Sequence, residues 1–426
     1  MMITVAVVLI ALGLILGAPV FCVFAAIPLL GWFADGTPIS VVGTDVNRLS
    51  SNFVFITIPL FTFAGYLLGE SGAPRRLVKL SRAFLGWMPG GLAIVSVVGC
   101  SLFTAFTGAS GVTIVALGAL LLPALLQDRY KENFSLGLVT TGGSLGLLFA
   151  PSVPLILYGV ITETPIGDMF VAGVLPGVAM VVILSIVGVV VSIRSGVPRT
   201  HLKWKEIGEA LWEAKWEVPL PVVVLGGIYG GFFAVSEAAA VTAFWVLIVE
   251  VLIYREISFA QLRKVTLESM VMVGGIMVIV ATAMASTNYF IDVDVPQKIF
   301  EVIREHISTR FGFLLLLNIF LFILGMLLDV FSAIVVVVPI ITPIAQGYDV
   351  NLVHLGIIFL ANMQIGYMTP PFGMGLFISS FRFNKGILQI TLACLPFIGI
   401  LFASVLLITY WPDLSLAILR MMGKPY

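Results

Sequence analysis

Charge is what this sequence has least of. Only 10% of its 426 residues are Asp, Glu, Lys or Arg, while 60% are hydrophobic. Soluble domains carry about 25% charged residues. A soluble chain of this size could not hide so much apolar surface, so lipid is the solvent for most of it. Acids and bases balance at 22 each, which removes attraction to nucleic acid or to an acidic surface as an organising principle. Cysteine is scarce: Cys22, Cys100 and Cys394 stand singly in apolar context, without a CxxC. They read as buried thiols acting as small hydrophobes. The three histidines, His201, His306 and His354, are far apart, so a metal centre and a resident cofactor are not expected. No Walker loop, no GxGxxG after a strand and no GxSxG is present, which excludes ATP hydrolysis and a soluble-type catalytic centre. The first residues, MMITVAVVLIALGLILGAPVF, lack a basic start and run too long for a cleaved signal. They are expected to open the first membrane helix.

Long apolar runs are what the chain has instead. A spanning helix needs about 20 apolar residues. Candidates lie near 4–33, 51–70, 134–162, 168–193, 218–235, 237–254, 268–289, 352–381 and 387–411. Two further stretches, near 92–125 and 312–346, are long enough for two short helices each and are interrupted in the middle by small or polar residues. They are expected to be re-entrant hairpins, or short spans with broken centres. Basic residues stay on the cytoplasmic side. If the first hairpin enters from the cytoplasm and the second from outside, sixteen of the Lys and Arg residues face inward, leaving Arg48, Lys298, Arg304, Arg310, Arg420 and Lys424 outside. That layout puts the N-terminus inside and the C-terminus outside. HLKWKEIGEALWEAKWEV, His201 to Val218, places Trp204, Ile207, Leu211 and Val218 at helical spacing, as an in-plane amphipathic helix would. VPQKIFEVIREHISTR, Val295 to Arg310, is a second segment of this kind.

Two regions break their own helices. GLLFAPSVPLILYG, Gly146 to Gly159, and GYMTPPFGMGLFISS, Gly366 to Ser380, hold prolines within apolar runs. Pro123, Gly146 and Pro151 recur as Pro343, Gly366 and Pro371, each 220 residues later. Each break follows a hairpin, and the charge count gives the two copies opposite orientations, the mark of an inverted repeat. The reading is a single all-α polytopic membrane domain, residues 1–426. Its repeat halves are approximately 1–195 and 218–426, joined by a cytoplasmic amphipathic segment at 196–217. Irregular backbone at membrane depth is tolerated only inside protein or beside a water-filled cavity. Unwound carbonyls suit hard cations, and half-helix N-termini suit anions. The hairpin tips add Thr107, Gly108, Ala109 and Ser110 in the first, and Gly325, Asp329 and Ser332 in the second. An intramembrane carboxylate such as Asp329 is costly and functional by default, the alternative being a tip cap. Glu237 reads as the cap of the helix it opens.

These stretches together resemble the large membrane subunit of TRAP (tripartite ATP-independent periplasmic) transporters over nearly the whole chain. The residues that carry the resemblance are TGAS, GGSLGLLFAPSVPLILYG, LGGIYGGFFAVSEAAAV, LGMLLDVFSAI and NMQIGYMTPPFGMGLF. The resemblance implies an elevator-type carrier in the bacterial inner membrane that imports a small organic anion on a Na⁺ gradient. It also implies two partners, a periplasmic substrate-binding protein and a small four-helix membrane subunit. Carried over by motif, one sodium site would use Thr107, Ser110, Gly146, Phe149 and Pro151, and the other Gly325, Gly366, Thr369 and Phe372, with Asp329 beside it. Substrate would sit near Ser152 and Pro371. The alternatives are a stand-alone Na⁺/dicarboxylate symporter of similar architecture, and a membrane-embedded enzyme or proton-conducting subunit. Helices nearly bare of Glu, Lys and His speak against the last.

Overall fold

The computed structural model describes residues 18–51, 53–197, 203–371 and 373–426; the start of the expected first helix and Phe372 lie outside them. Among the described residues every regular element is helical. In chain order these are α1 (Val20–Ala34), α2 (Ser40–Ser51), α3 (Thr57–Glu70), α4 (Ala73–Leu85), α5 (Gly91–Thr107), α6 (Ser110–Gln127), α7 (Glu132–Gly142), α8 (Val153–Ile161), α9 (Ile166–Ser195) and α10 (Trp204–Glu213). They continue with α11 (Pro219–Tyr229), α12 (Val235–Leu247), α13 (Phe259–Asp292), α14 (Val295–His306), α15 (Arg310–Leu327), α16 (Val330–Gly347), α17 (Leu352–Gly366), α18 (Met374–Phe383), α19 (Ile387–Tyr410) and α20 (Asp413–Met421). Seven of these, counting the π-helical extension of α12 to Ile253, are long and apolar enough to cross a membrane.

Local chemistry starts and stops them. Asn351 accepts the N–H groups of Val353 and His354 at the start of α17. Ser258 and Gln261 form a reciprocal cap on α13, satisfying donors that have no partner inside the helix. Glu237 accepts the Ala234 N–H at 2.8 Å, the capping role expected of it. The expected hairpin stretches are helix pairs, α5–α6 and α15–α16. The two broken spans are α7 with α8, bent by 41°, and α17 with α18, separated by Tyr367–Gly373. The cysteines divide: Cys100 and Cys394 are buried as expected, but Cys22 is exposed, because the face of α1 on which it stands has no described helix packed over it.

Boundaries recur at the spacing seen in the prolines. The helices α6 and α16 start at Ser110 and Val330 and end at Gln127 and Gly347, while α7 and α17 start at Glu132 and Leu352, each pair 220 residues apart. The bonds Ala150–Pro151 and Pro370–Pro371, at that same spacing, are both cis. Packing is exchanged between the copies: α6 lies against α18, and α16 against α8. Within each copy the first hairpin helix meets its own broken span at a glycine. A Cβ on Gly146 would stand 2.4 Å from the Ser101 carbonyl oxygen, and one on Gly366 would stand 2.4 Å from the Gly325 Cα. No side chain fits at such an approach. The two broken spans touch directly, with the Thr140 hydroxyl donating to Ser379 at 3.0 Å and the Tyr158 hydroxyl to the Leu352 carbonyl at 2.8 Å.

A second feature lies beside this core. The chain turns by 76° between α3 and α4, and α4 carries the basic cluster Arg75, Arg76, Lys79 and Arg82. The sequence reading has no helix here. It forms because its apolar residues Ala73, Leu77 and Leu85 fall on one side of an amphipathic turn pattern. It packs on α10 through Lys79 and Glu213. Arg76 is buried and binds three glutamates from three elements: Glu217 through Nε, Glu250 at 3.0 Å and Glu256 at 2.7 Å. The Tyr254 ring stacks on its guanidinium at 4.0 Å. Burial pushes the Glu256 carboxyl up, but its bonds to Arg76 and to the Gly72 N–H outweigh this and hold it below 4.5.

Three outcomes are expected from this packing. Alanine at Gly146 or Gly366 should cost about 1–3 kcal/mol through overpacking, read as a lowered melting midpoint of the detergent-solubilised chain; an unchanged midpoint would refute the close approach. Arg76→Ala leaves buried carboxylates without a counter-charge and should cost about 3–5 kcal/mol, far more than Lys79→Ala at an exposed pair. Because folding depresses the Glu256 carboxyl, its contribution to stability is complete above pH 4.5 and is lost as pH falls below it. Glu256→Gln should therefore flatten the melting-midpoint profile on the acid side, which a pH series of thermal melts would check.

Candidate functional site

The first hairpin tip is built on glycine. Gly108 caps α5 with φ +63°, and its N–H bonds the Thr104 carbonyl at 2.8 Å; other residues adopt this left-handed conformation at a cost of about 1 kcal/mol. Ala109 is then extended, and Ser110 begins α6. Thr107 is buried; its hydroxyl accepts the Ala109 N–H at 3.4 Å, and as a donor it finds only distant oxygens, Thr104 O at 3.5 Å and Ala109 O at 3.4 Å. Both exceed a good O–H···O bond. One turn earlier, the Thr104 hydroxyl bridges Thr113 at 2.6 Å and the Gly143 carbonyl at 2.8 Å, stapling the tip to the first broken span.

The two breaks are tight turns. In the first, Phe149 N–H bonds the Gly146 carbonyl and Ser152 N–H the Phe149 carbonyl, both at 3.1 Å. In the second, Thr369 N–H bonds the Gly366 carbonyl at 2.9 Å and Gly373 N–H the Thr369 carbonyl at 3.1 Å. The expectation of freed carbonyls is thus refined: Gly146, Phe149, Gly366 and Thr369 each accept one turn bond. A carbonyl has two lone pairs, so each keeps one. The Thr369 hydroxyl donates to Ile365 O at 2.8 Å and likewise keeps its acceptor capacity. The Phe149 ring lies on Gly177 of α9, and Pro151 is buried beside it. Phe372, the remaining expected ligand, is outside the described residues.

Tip and breaks converge. A Cβ on Gly108 would sit 3.0 Å from Val153 at the start of α8, and one on Gly111 would sit 3.3 Å from the Tyr367 hydroxyl of the second break. Ser110 neighbours that same hydroxyl. From the second hairpin, Asp329 caps α16, taking the N–H groups of Phe331 and Ser332 at 3.0 and 3.1 Å and the Ser332 hydroxyl at 2.5 Å. Ser110, Asp329 and Tyr367 line one crevice of about 800 Å³, whose far wall is α3 and α13 through Tyr66, Met272 and Gly275. Of the expected tip and site residues, Gly108, Ala109, Ser110 and Asp329 reach this crevice. Gly146, Gly325 and Gly366 are packed behind it at the helix contacts. Ser152 is also off its lining, fully buried with an unpartnered hydroxyl, and Pro371 is exposed elsewhere. Sequence reasoning passed over Tyr66, Glu70, Glu268, Tyr367 and Arg382, all of which line the crevice. Glu70, Glu268 and Arg382 stand at ends of apolar runs, where interfacial charge is ordinary.

The comparisons with known proteins agree with this architecture. The family model "Tripartite ATP-independent periplasmic transporter, DctM component" matches residues 3–414. The chain is 31% identical over 412 residues to the C4-dicarboxylate TRAP transporter large permease protein DctM of Vibrio cholerae, covering 92% of this chain and 91% of that protein. It is 33% identical over 411 residues to the isethionate TRAP transporter permease protein DctMQ of Oleidesulfovibrio alaskensis, covering 95% of this chain and 64% of that longer protein. It is 28% identical to the ectoine TRAP transporter large permease protein TeaC of Halomonas elongata over 95% of each. In fold it matches the crystal structure of the YdaH transporter of Alcanivorax borkumensis, with a TM-score of 0.59 at 12% identity, covering 88% and 87% of the two chains. With its membrane-length helices and its match across nearly the whole sequence, the chain is an inner-membrane protein that belongs to the DctM family, the large permease component of tripartite ATP-independent periplasmic transporters.

Proposed function

We propose that this subunit imports a small organic anion by an elevator movement coupled to Na⁺. The observation that carries the reading is the single crevice into which both hairpin tips and the second break open, with α3 and α13 as its other wall. Tips and broken spans form the moving body, and α3 and α13 belong to the scaffold against which it slides. The two repeats stand in opposite orientations across the membrane. Arg382 lines the crevice and, with Arg75, a pocket adjoining it; with basic residues retained on the cytoplasmic side, that end of the crevice faces inward.

The donor set fits Na⁺, which takes hard oxygen ligands. At the first site, the poorly bonded Thr107 hydroxyl and the second lone pairs of the Gly146 and Phe149 carbonyls are oxygens of that kind, with Ser110 and Pro151 bordering them. At the second, Gly325, Gly366 and Thr369 supply backbone and hydroxyl oxygens, and Asp329 adds negative charge nearby. Binding Na⁺ at both sites would stiffen the tips around the substrate and neutralise part of the charge that must cross. The isethionate relative is longer and is named DctMQ, which supports a small membrane subunit as partner here. A periplasmic binding protein delivers the substrate.

Proteoliposomes holding this chain and its small membrane subunit should accumulate substrate only with an inward Na⁺ gradient and added binding protein. Thr107→Ala should lower the apparent Na⁺ affinity severalfold with little change in melting midpoint. Uptake that is indifferent to Na⁺ would sink the coupling, and uptake without the binding protein would favour a stand-alone symporter.

A further inference from the structure

The crevice wall is unevenly charged. Glu70 of α3, Glu268 of α13 and Asp329 at the second tip all line it, against a single lining cation among the described residues, Arg382 of α18; Lys264, off the lining, stands 3.8 Å from Glu268 as an exposed pair. Arg382 is oriented: its Nε–H donates to the Val115 carbonyl of α6 at 2.9 Å. Among the described residues no carboxylate pairs with it. An Arg fixed through Nε offers its two terminal amino groups as a planar fork, suited to one carboxylate or sulfonate. Glu70, Glu268 and Arg382 are exposed, and the Tyr66 hydroxyl, bonded to the Met272 sulfur at 3.1 Å, stands on the same helices as the glutamates.

We infer that Arg382 anchors the anionic group of the transported molecule, and that the carboxylates lining the same crevice select a substrate with one anionic group and a hydrogen-bond-donating or cationic remainder, against a dianion. This rests on the transport reading of the crevice and narrows its substrate class. A dicarboxylate could place one end on Arg382, but the rest of the charged lining is acidic, with Glu70, Asp329 and the Lys264-paired Glu268, and like charge counts against its other end. A hydroxyl, amine or amidinium at that end would instead donate to those carboxylates. Arg382 acts here by direct contact, so its replacement should change affinity rather than stability.

The test uses the full chain in nanodiscs with Na⁺ and a reporter in the crevice. Gly275→Cys serves, because a Cβ there meets nothing within 4 Å, in a Cys22→Ser background that removes the exposed native thiol. A cationic methanethiosulfonate should label this thiol faster than an anionic one, with the ratio rising in Arg382→Ala and falling in Glu268→Gln. Isethionate and ectoine should protect the thiol at roughly tenfold lower concentration than succinate, a preference of about 1.4 kcal/mol. Arg382→Ala should abolish that protection, Arg382→Lys should restore part of it, and both should melt with the parent protein. Equal or better protection by succinate, protection by none of the three, or protection indifferent to Arg382→Ala would each overturn the inference. Protection as expected without Na⁺-driven uptake would instead overturn the transport reading.

Discussion

A helix broken in an apolar setting must find partners for the backbone groups it releases, because lipid offers none. The rest of this structure follows from how that requirement is met. At each break the chain winds into short turns that re-pair most of its N–H groups, such as Ser152 to Phe149 and Gly373 to Thr369. Protein then covers what remains. The hairpins press backbone against backbone at Gly146 and at the Gly325–Gly366 contact, an approach that only the absence of a Cβ permits. Half-paired carbonyl oxygens and a loosely held Thr107 hydroxyl are what such a site has left over. The chemistry open to the site is therefore set by the same constraint that shapes the fold.

Charge is spent sparingly and at boundaries. Asp329 serves the second hairpin as a helix cap, with its carboxylate held by two N–H groups and a hydroxyl, and still reaches the crevice. Capping the helix and lining the crevice are thus not alternatives for it. The Arg76 cluster does different work: three glutamates, from the turn between α10 and α11, the extension of α12 and the loop after it, fasten α4 at the foot of the first hairpin. That fixes where the hairpin starts while leaving its tip to be placed by glycine contacts.

The crevice gives these devices a common purpose. On one side stand the elements exchanged between the two repeats, α6 with α18 and α16 with α8. On the other stand α3 and α13, which pack on each other. The α3–α13 pair also packs on the hairpins, α3 on α5 and α13 on α16, so the cavity lies along a contact between the two groups of helices.

Much of this could be read from the residues alone. Low charge and long apolar runs determined a polytopic helical membrane protein. Prolines and glycines located the breaks and tips, and their shared spacing matches the recurrence of helix boundaries such as Ser110 and Val330. These are properties of contiguous chain: a proline removes its own N–H wherever it stands, and Glu237 or Asn351 caps the helix it opens. What only the tertiary structure decided was which distant groups meet. Tyr367 comes beside Ser110, Glu70 and Glu268 come to line one crevice with Arg382, and Ser152 ends buried off the crevice lining instead of facing it. Those meetings depend on how helices hundreds of residues apart pack through apolar faces, a non-directional attraction whose pairings no local pattern records.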